Sequence, residues 1–140
     1  MSDGTTPSEE SGAPHHPRAV AVLVCDRSIR DTRTGRVSLV DLLDEVSATT
    51  FPLVIPPVSV YARLTDATGF YALALEVVRR DDLLEVARMG VGHFEATDPL
   101  EDVEIVVHQL QLRLPSVGFY DVRLWANGRF VQSVSFRALS

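Results

Sequence analysis

Apolar and polar positions alternate with a period of two over much of this chain. Val58, Val60, Ala62 and Leu64 alternate with Ser59, Tyr61 and Arg63. Tyr71, Leu73, Leu75 and Val77 alternate with Ala72, Ala74 and Glu76. That period sends successive side chains to opposite faces of a strand. Ala19–Cys25 is an unbroken apolar run rich in valine, which suits a strand covered on both faces. A further strand is predicted over Leu84–Phe94, loosened by Gly90 and Gly92. Turn signals separate these segments: Thr32-Arg33-Thr34-Gly35 before a strand starting at Val37, a hairpin loop at Thr65–Gly69, and the charged turn Arg79–Asp82. Phe51–Pro57 holds Pro52, Pro56 and Pro57; residues without an N–H are not expected in a central strand.

Two segments carry conflicting signals. Asp98, Pro99 and Glu101 look like a helix start, and Leu100, Val103, Val107, Leu110 and Leu114 keep helical spacing. Against this, Ile105-Val106-Val107 is β-branched, and Val106, His108, Leu110, Leu112 and Leu114 alternate with Val107, Gln109, Gln111 and Arg113. A strand is the preferred reading; a helix over Pro99–Leu112 would make the domain α+β. Leu39, Leu42, Leu43 and Val46 pose the same choice in Ser38–Val46, again read as strand.

The C-terminal hairpin offers a register. Tyr120, Val122 and Leu124 form one face of a strand, and Phe130, Val134 and Phe136 one face of the next. A two-residue Asn127-Gly128 turn would put these sets on opposite faces. A three-residue loop, Ala126-Asn127-Gly128, pairs Leu124 with Phe130 and Tyr120 with Val134, so both sets face the core. In that register Phe119, Arg123, Trp125 and Val131 fall on the outer face. Tryptophan and arginine are favoured at interaction hot spots, so these four residues form a candidate interaction surface.

The 140 residues fit one domain, with 46% hydrophobic and 23% charged residues. Residues 1–18 lack large aliphatic side chains beyond Met1 and are expected to be a disordered acidic, proline-containing tail; 19–140 form the folded domain. The expected architecture is all-β, an antiparallel β-sandwich of seven or eight strands. The chain carries a net charge of −6 with no lysine among its 13 basic residues. The acidic balance argues against nucleic acid and anionic membrane surfaces as partners. The arginine-only usage fits a GC-rich bacterial genome. No apolar run approaches the roughly 20 residues of a membrane helix. The polar start lacks the pattern of a secretion signal, and a single Cys25 excludes an internal disulfide, so the expected setting is cytoplasmic.

Several stretches resemble an uncharacterised bacterial family of small all-β proteins. They are Ala21–Asp26, Gly35–Asp44, Phe51-Pro52, Gly118–Trp125 and Asn127-Gly128. Pro115–Tyr120 is also similar to the turn-then-tyrosine entry of a late strand in immunoglobulin-like and C2-like sandwiches. The resemblance implies a β-sandwich in a bacterial cytoplasm and carries over no catalytic residue.

Candidate chemistry is sparse. An enzyme would need His93 or His108 in a cleft beside a nucleophile or acid. Calcium would need the loop acids Asp81-Asp82 and Asp98, Glu101, Asp102 and Glu104 to converge, because the ion takes about six to eight oxygens. The adjacent His15-His16 pair lacks a third ligand. No phosphate-cradling loop is present, and no cofactor is implied. The leading expectation is a non-catalytic interaction module that binds a protein partner or itself; the alternatives are a small-ligand or calcium-binding C2-like domain and an enzyme using His93 or His108.

Overall fold

The computed structural model describes residues 16–140, and in it the alternating segments become strands. They are β1 (Arg18–Arg30), β2 (Val37–Leu42), β3 (Glu45–Ser47), β4 (Leu53–Thr65), β5 (Gly69–Arg79), β6 (Leu84–Ala96), β7 (Val103–Leu114), β8 (Gly118–Ala126) and β9 (Arg129–Leu139). No helix interrupts them among the described residues. A four-stranded sheet has the order β2-β1-β4-β7, and a five-stranded sheet the order β3-β9-β8-β5-β6. All pairs are antiparallel except β3 with β9. The core lies between the sheets: Val22, Val24, Val60, Leu64 and Leu112 from one meet Tyr71, Leu75, Val122, Leu124 and Phe136 from the other.

Both ambiguous segments are extended. Val103–Leu114 is one strand, and Asp98 caps a turn before it, its carboxylate accepting the Leu100 N–H at 2.9 Å. Residues 37–47 split into β2 and β3, which join different sheets. Thr65–Gly69 is not a hairpin loop, because β4 and β5 also belong to different sheets. It is an inter-sheet corner whose Ala67 is fully buried. The tail expected over 1–18 lies outside the described residues as far as 15. Arg18 already belongs to β1, and His16 Nε2 donates to the Phe130 carbonyl at 2.7 Å.

The prolines correct another expectation. Leu53–Thr65 is a central strand despite Pro56 and Pro57. Pairing of β1 with β4 ends at Cys25 opposite Ser59, and residues 53–58 pair only with β7. The register with β7 also shifts between Ile55 and Val58. There the prolines sit on a bulge, on a stretch with one unpaired side, where a missing N–H breaks no ladder.

The C-terminal register also differs from expectation. Ala126 pairs with Arg129 and Trp125 with Phe130, so the turn has two residues, with Asn127 at φ 52° and Gly128 at φ 76°. Both left-handed positions suit Asn-Gly. A bulge at Val131 then shifts the ladder, so that Leu124 faces Gln132, Val122 faces Val134 and Tyr120 faces Phe136. The extra residue reverses the alternation. Val134 and Phe136 keep the core side, and Phe130 turns outward.

Side chains lock two corners. Tyr120, fully buried, donates its hydroxyl to the Ser116 carbonyl at 2.6 Å and stacks on Phe136 at 5.5 Å. Tyr71 donates in the same way to Thr68 at 2.9 Å. Asn127 extends the β8–β5 ladder: its Oδ1 accepts the Ala72 N–H at 2.9 Å and its Nδ2 donates to the Phe70 carbonyl at 3.1 Å.

Tyr120→Phe leaves the Ser116 carbonyl without this donor and is expected to cost about 1–3 kcal/mol in urea unfolding, with an unchanged m-value. Asn127→Gly keeps the turn's backbone freedom and removes both side-chain bonds. Its expected cost is about 1–2 kcal/mol, against more for Asn127→Ala, which adds strain at positive φ. Equal stability of Asn127→Gly and the unaltered protein would contradict this role.

Candidate interaction face, His108 cleft and end cavity

Strands β5, β8 and β9 alternate core and solvent, so the residues between their core-facing ones build an outer face on the five-stranded sheet. Its centre is Glu76, a charged residue only 9% exposed. Arg88 Nη2 donates to its Oε2 at 2.8 Å, and Trp125 Nε1 donates to its Oε1 at 3.2 Å. The Arg123 guanidinium lies 3.7 Å from the same Oε1. A carboxylate so buried needs charged and hydrogen-bonding partners, and it has both.

Arg123 also lies over the Trp125 ring at 5.2 Å and the Phe130 ring at 5.9 Å, while Trp125 and Phe130 meet edge to face at 5.7 Å. Further along, Arg80 and Arg137 cover Phe119 at 4.7 and 5.6 Å. Such contacts pin the cations over the rings. Arg80 donates to Asp121 at 2.8 Å and Arg137 to Glu45 at 2.7 Å. Burial pushes the Asp121 carboxyl up, but Arg80 and the Ser135 hydroxyl outweigh it and hold it below the usual range.

Three of the four expected surface residues, Phe119, Arg123 and Trp125, therefore share this face. Val131 does not: its bulge turns it toward the core, and Phe130 takes the outer place beside Trp125. Sequence reasoning placed Phe130 in the core because it shares parity with Val134 and Phe136. It also passed over Phe70, which precedes core-facing Tyr71 and is 70% exposed. Ala74 pairs with Trp125, so small side chains floor the space between these rings.

The opposite outer face holds His108. A left-handed Gln109, φ 61°, lies where β7 shifts register, so Val107 and Leu110 both reach the core and His108 does not. It was expected to share a face with Leu110 and Leu112; the bulge breaks that alternation. His108 lines a cleft of about 390 Å³ with Ser28, Arg30, Val37 and Val106. Beside it, buried Tyr61 donates its hydroxyl to Glu104, and Arg30 lies 3.9 Å from that carboxylate. Burial and then Glu104 push the Tyr61 phenol up. No hydrogen bond joins Ser28 to His108. His93 lines a separate recess with Val91, Phe94 and Ile105.

The loop acids do not converge. Asp81-Asp82 and the 98–104 acids lie at opposite ends of the 13-residue β6, a span of roughly 40 Å. Arg79 holds Asp82 at a pKa of about 2, Arg63 pairs with Asp102, and Tyr61 occupies Glu104. Among the described residues, no group of three or more His, Cys, Asp or Glu is placed to hold a metal ion. No described helix is long and apolar enough to cross a membrane. Cys25 is buried with its Sγ 3.3 Å from the Arg27 carbonyl, and burial pushes its thiol up.

The third feature is a cavity of about 460 Å³ at one end of the sandwich, where β1 and β4 part. Leu42, Leu43, Val46, Leu53, Val54, Ile55, Pro56 and Val58 supply its apolar lining, and Asp26, Asp41 and Ser47 its polar part.

None of the curated proteins compared matches this chain. Among solved structures, the alkylpurine DNA glycosylase AlkC of Pseudomonas fluorescens, bound to DNA containing an abasic site analog, superposes with a TM-score of 0.46 at 10% identity. The match covers 85% of this chain and 30% of that one, and so weak a likeness carries no functional argument. The sequence itself, over residues 20–139, matches the profile of one family along almost the whole described domain, and the chain belongs to that family, DUF6941, a family of unknown function.

Proposed function

We propose that this domain is a non-catalytic interaction module that pairs with a second copy of itself through the outer face of the five-stranded sheet. The observation that carries the reading is the aromatic cluster there. Phe130, 44% exposed, meets Trp125 edge to face, and Phe70, 70% exposed, lies further along the same face, on the strand whose Ala74 pairs with Trp125; Glu76 at the centre of that face is already satisfied by Arg88, Arg123 and Trp125. Exposed aromatic area of this kind gains by being covered.

Charge selects the partner. The chain as a whole is acidic, at −6, so two copies repel over most of their surface. On this face Arg80, Arg88, Arg123 and Arg137 are matched by Asp121, Glu76, Glu85 and Glu45. The ion-paired part adds no net charge, so two acidic chains can approach there.

Sheet extension is a poorer route. The edge strand β3 has three residues and β2 six. Register shifts interrupt the pairing of both longer edges, β6 and β7. Short and bulged edges are the usual defence against edge-to-edge pairing.

Sedimentation equilibrium is expected to give a concentration-dependent mass rising toward twice 15.4 kDa. Association should persist in about 0.5 M salt, roughly threefold above physiological ionic strength, because apolar burial drives it. Phe70→Ser with Phe130→Ser should return the monomer without lowering the unfolding midpoint by more than a few degrees. A monomer at every concentration, or a dimer indifferent to both substitutions, would overturn the reading.

A further inference from the structure

We infer that the end cavity is a binding site for a small amphipathic cation, an aliphatic or aromatic group carrying an ammonium. The site lies away from the aromatic face, on β1, β2, β3 and β4, and does not depend on self-pairing.

The cavity has a structural cause. β1 and β4 are neighbours as far as Cys25 and Ser59, and then they separate: β1 continues alone with β2, and β4 continues alone with β7. Pro56 and Pro57 lie on the stretch of β4 that has lost β1, and a proline has no N–H with which to extend a ladder across the gap. The opening reaches the interior, since Ile55 and Val58 in its wall belong to the core cluster, and Leu43, Val46 and Leu53 pack against that cluster. Leu42 and Val54, 57% and 62% exposed, remain uncovered at its margin. At about 460 Å³ it falls within the range of roughly 300–1,000 Å³ typical of small-molecule pockets, and its lining is mainly aliphatic, as theirs are.

The polar part of the lining fixes the ligand's charge. Asp26, Asp41 and Ser47 form the polar part of its lining, so two acidic residues stand at the cavity; among the described residues no arginine or histidine lines it. Neither aspartate has a hydrogen bond or ion pair among the described residues. Glu45, Asp66, Glu76, Asp82, Glu85, Asp102 and Asp121 are ion-paired, whereas Asp44 and Glu101, like Asp26 and Asp41, have no ion pair among the described residues. Asp41 also holds a left-handed backbone, φ 55°, within β2, between the Arg27–Val40 and Cys25–Leu42 pairs. An apolar body with an ammonium fits aliphatic walls below carboxylates, whereas a fatty acid or phosphate ester would meet like charge.

Phenethylammonium, 2-phenylethanol and 3-phenylpropionate share one apolar body and differ in charge, so titrating each into the full chain by NMR tests the site without any variant. Phenethylammonium should bind saturably, about tenfold more tightly than the alcohol, as expected for two partly screened carboxylates, with the carboxylate weakest. Amide shifts should centre on Asp26, Asp41–Leu43 and Leu53–Ile55. Asp26→Asn with Asp41→Asn, both exposed positions, should lower the ammonium's affinity to that of the alcohol and leave the alcohol's unchanged. Equal affinities for the three ligands, shifts centred elsewhere, or no saturable binding of the ammonium at millimolar concentration would each overturn the assignment.

Discussion

Every strand of this domain must commit one side to a single apolar interior. Because the side-chain period is two, one inserted residue exchanges inside for outside. Most of what distinguishes the two outer faces follows from where such residues fall. The bulge at Val131 puts Phe130 beside Trp125, and the one at Gln109 puts His108 in a cleft instead of the core. A third irregularity, at Pro56-Pro57, coincides with the parting of β1 from β4 and so with the end cavity.

The aromatic face and the end cavity answer different physical demands. On the face, buried Glu76 gathers Arg88, Arg123 and Trp125, and Arg123 lies over the Trp125 and Phe130 rings. Its polar groups are satisfied before any partner arrives, which leaves aromatic area as the unspent part of the surface. At the cavity the reverse holds: the aliphatic walls reach into the core, and the carboxylates of Asp26 and Asp41 have no hydrogen-bonding partner among the described residues. One surface suits a large, shape-matched contact and the other a compact ligand.

How much of this was legible in the sequence depends on distance along the chain. The two-sheet architecture followed from alternation in Val58–Leu64 and Tyr71–Val77, because each pattern is set by local burial. The β-branched run Ile105–Val107 correctly outweighed the helix-like start at Asp98. Phe119, Arg123 and Trp125 were placed outward because Tyr120, Val122 and Leu124 occupy the core side of the same uninterrupted strand. Val131 and His108 were misplaced because no composition rule reveals a bulge; at both, counting by twos crosses the extra residue. Phe70 was missed for a different reason, since an apolar residue beside a strand's apolar face gives no sign of being exposed. The cavity was hidden altogether, because Asp26, Asp41 and Leu53 meet only through the parting of two strands. The prolines that accompany it were read as excluding a central strand, when they mark the part of one that has lost a neighbour.

The inversion at Val131 is therefore the claim on which the aromatic face stands, and proton–proton NOEs test it directly. The account predicts contacts between the Trp125 indole and the Phe130 ring, together with contacts from the Val131 methyl groups to buried core side chains. Phe130 ring contacts to Leu124 within the core, with Val131 methyl groups against the indole, would contradict it.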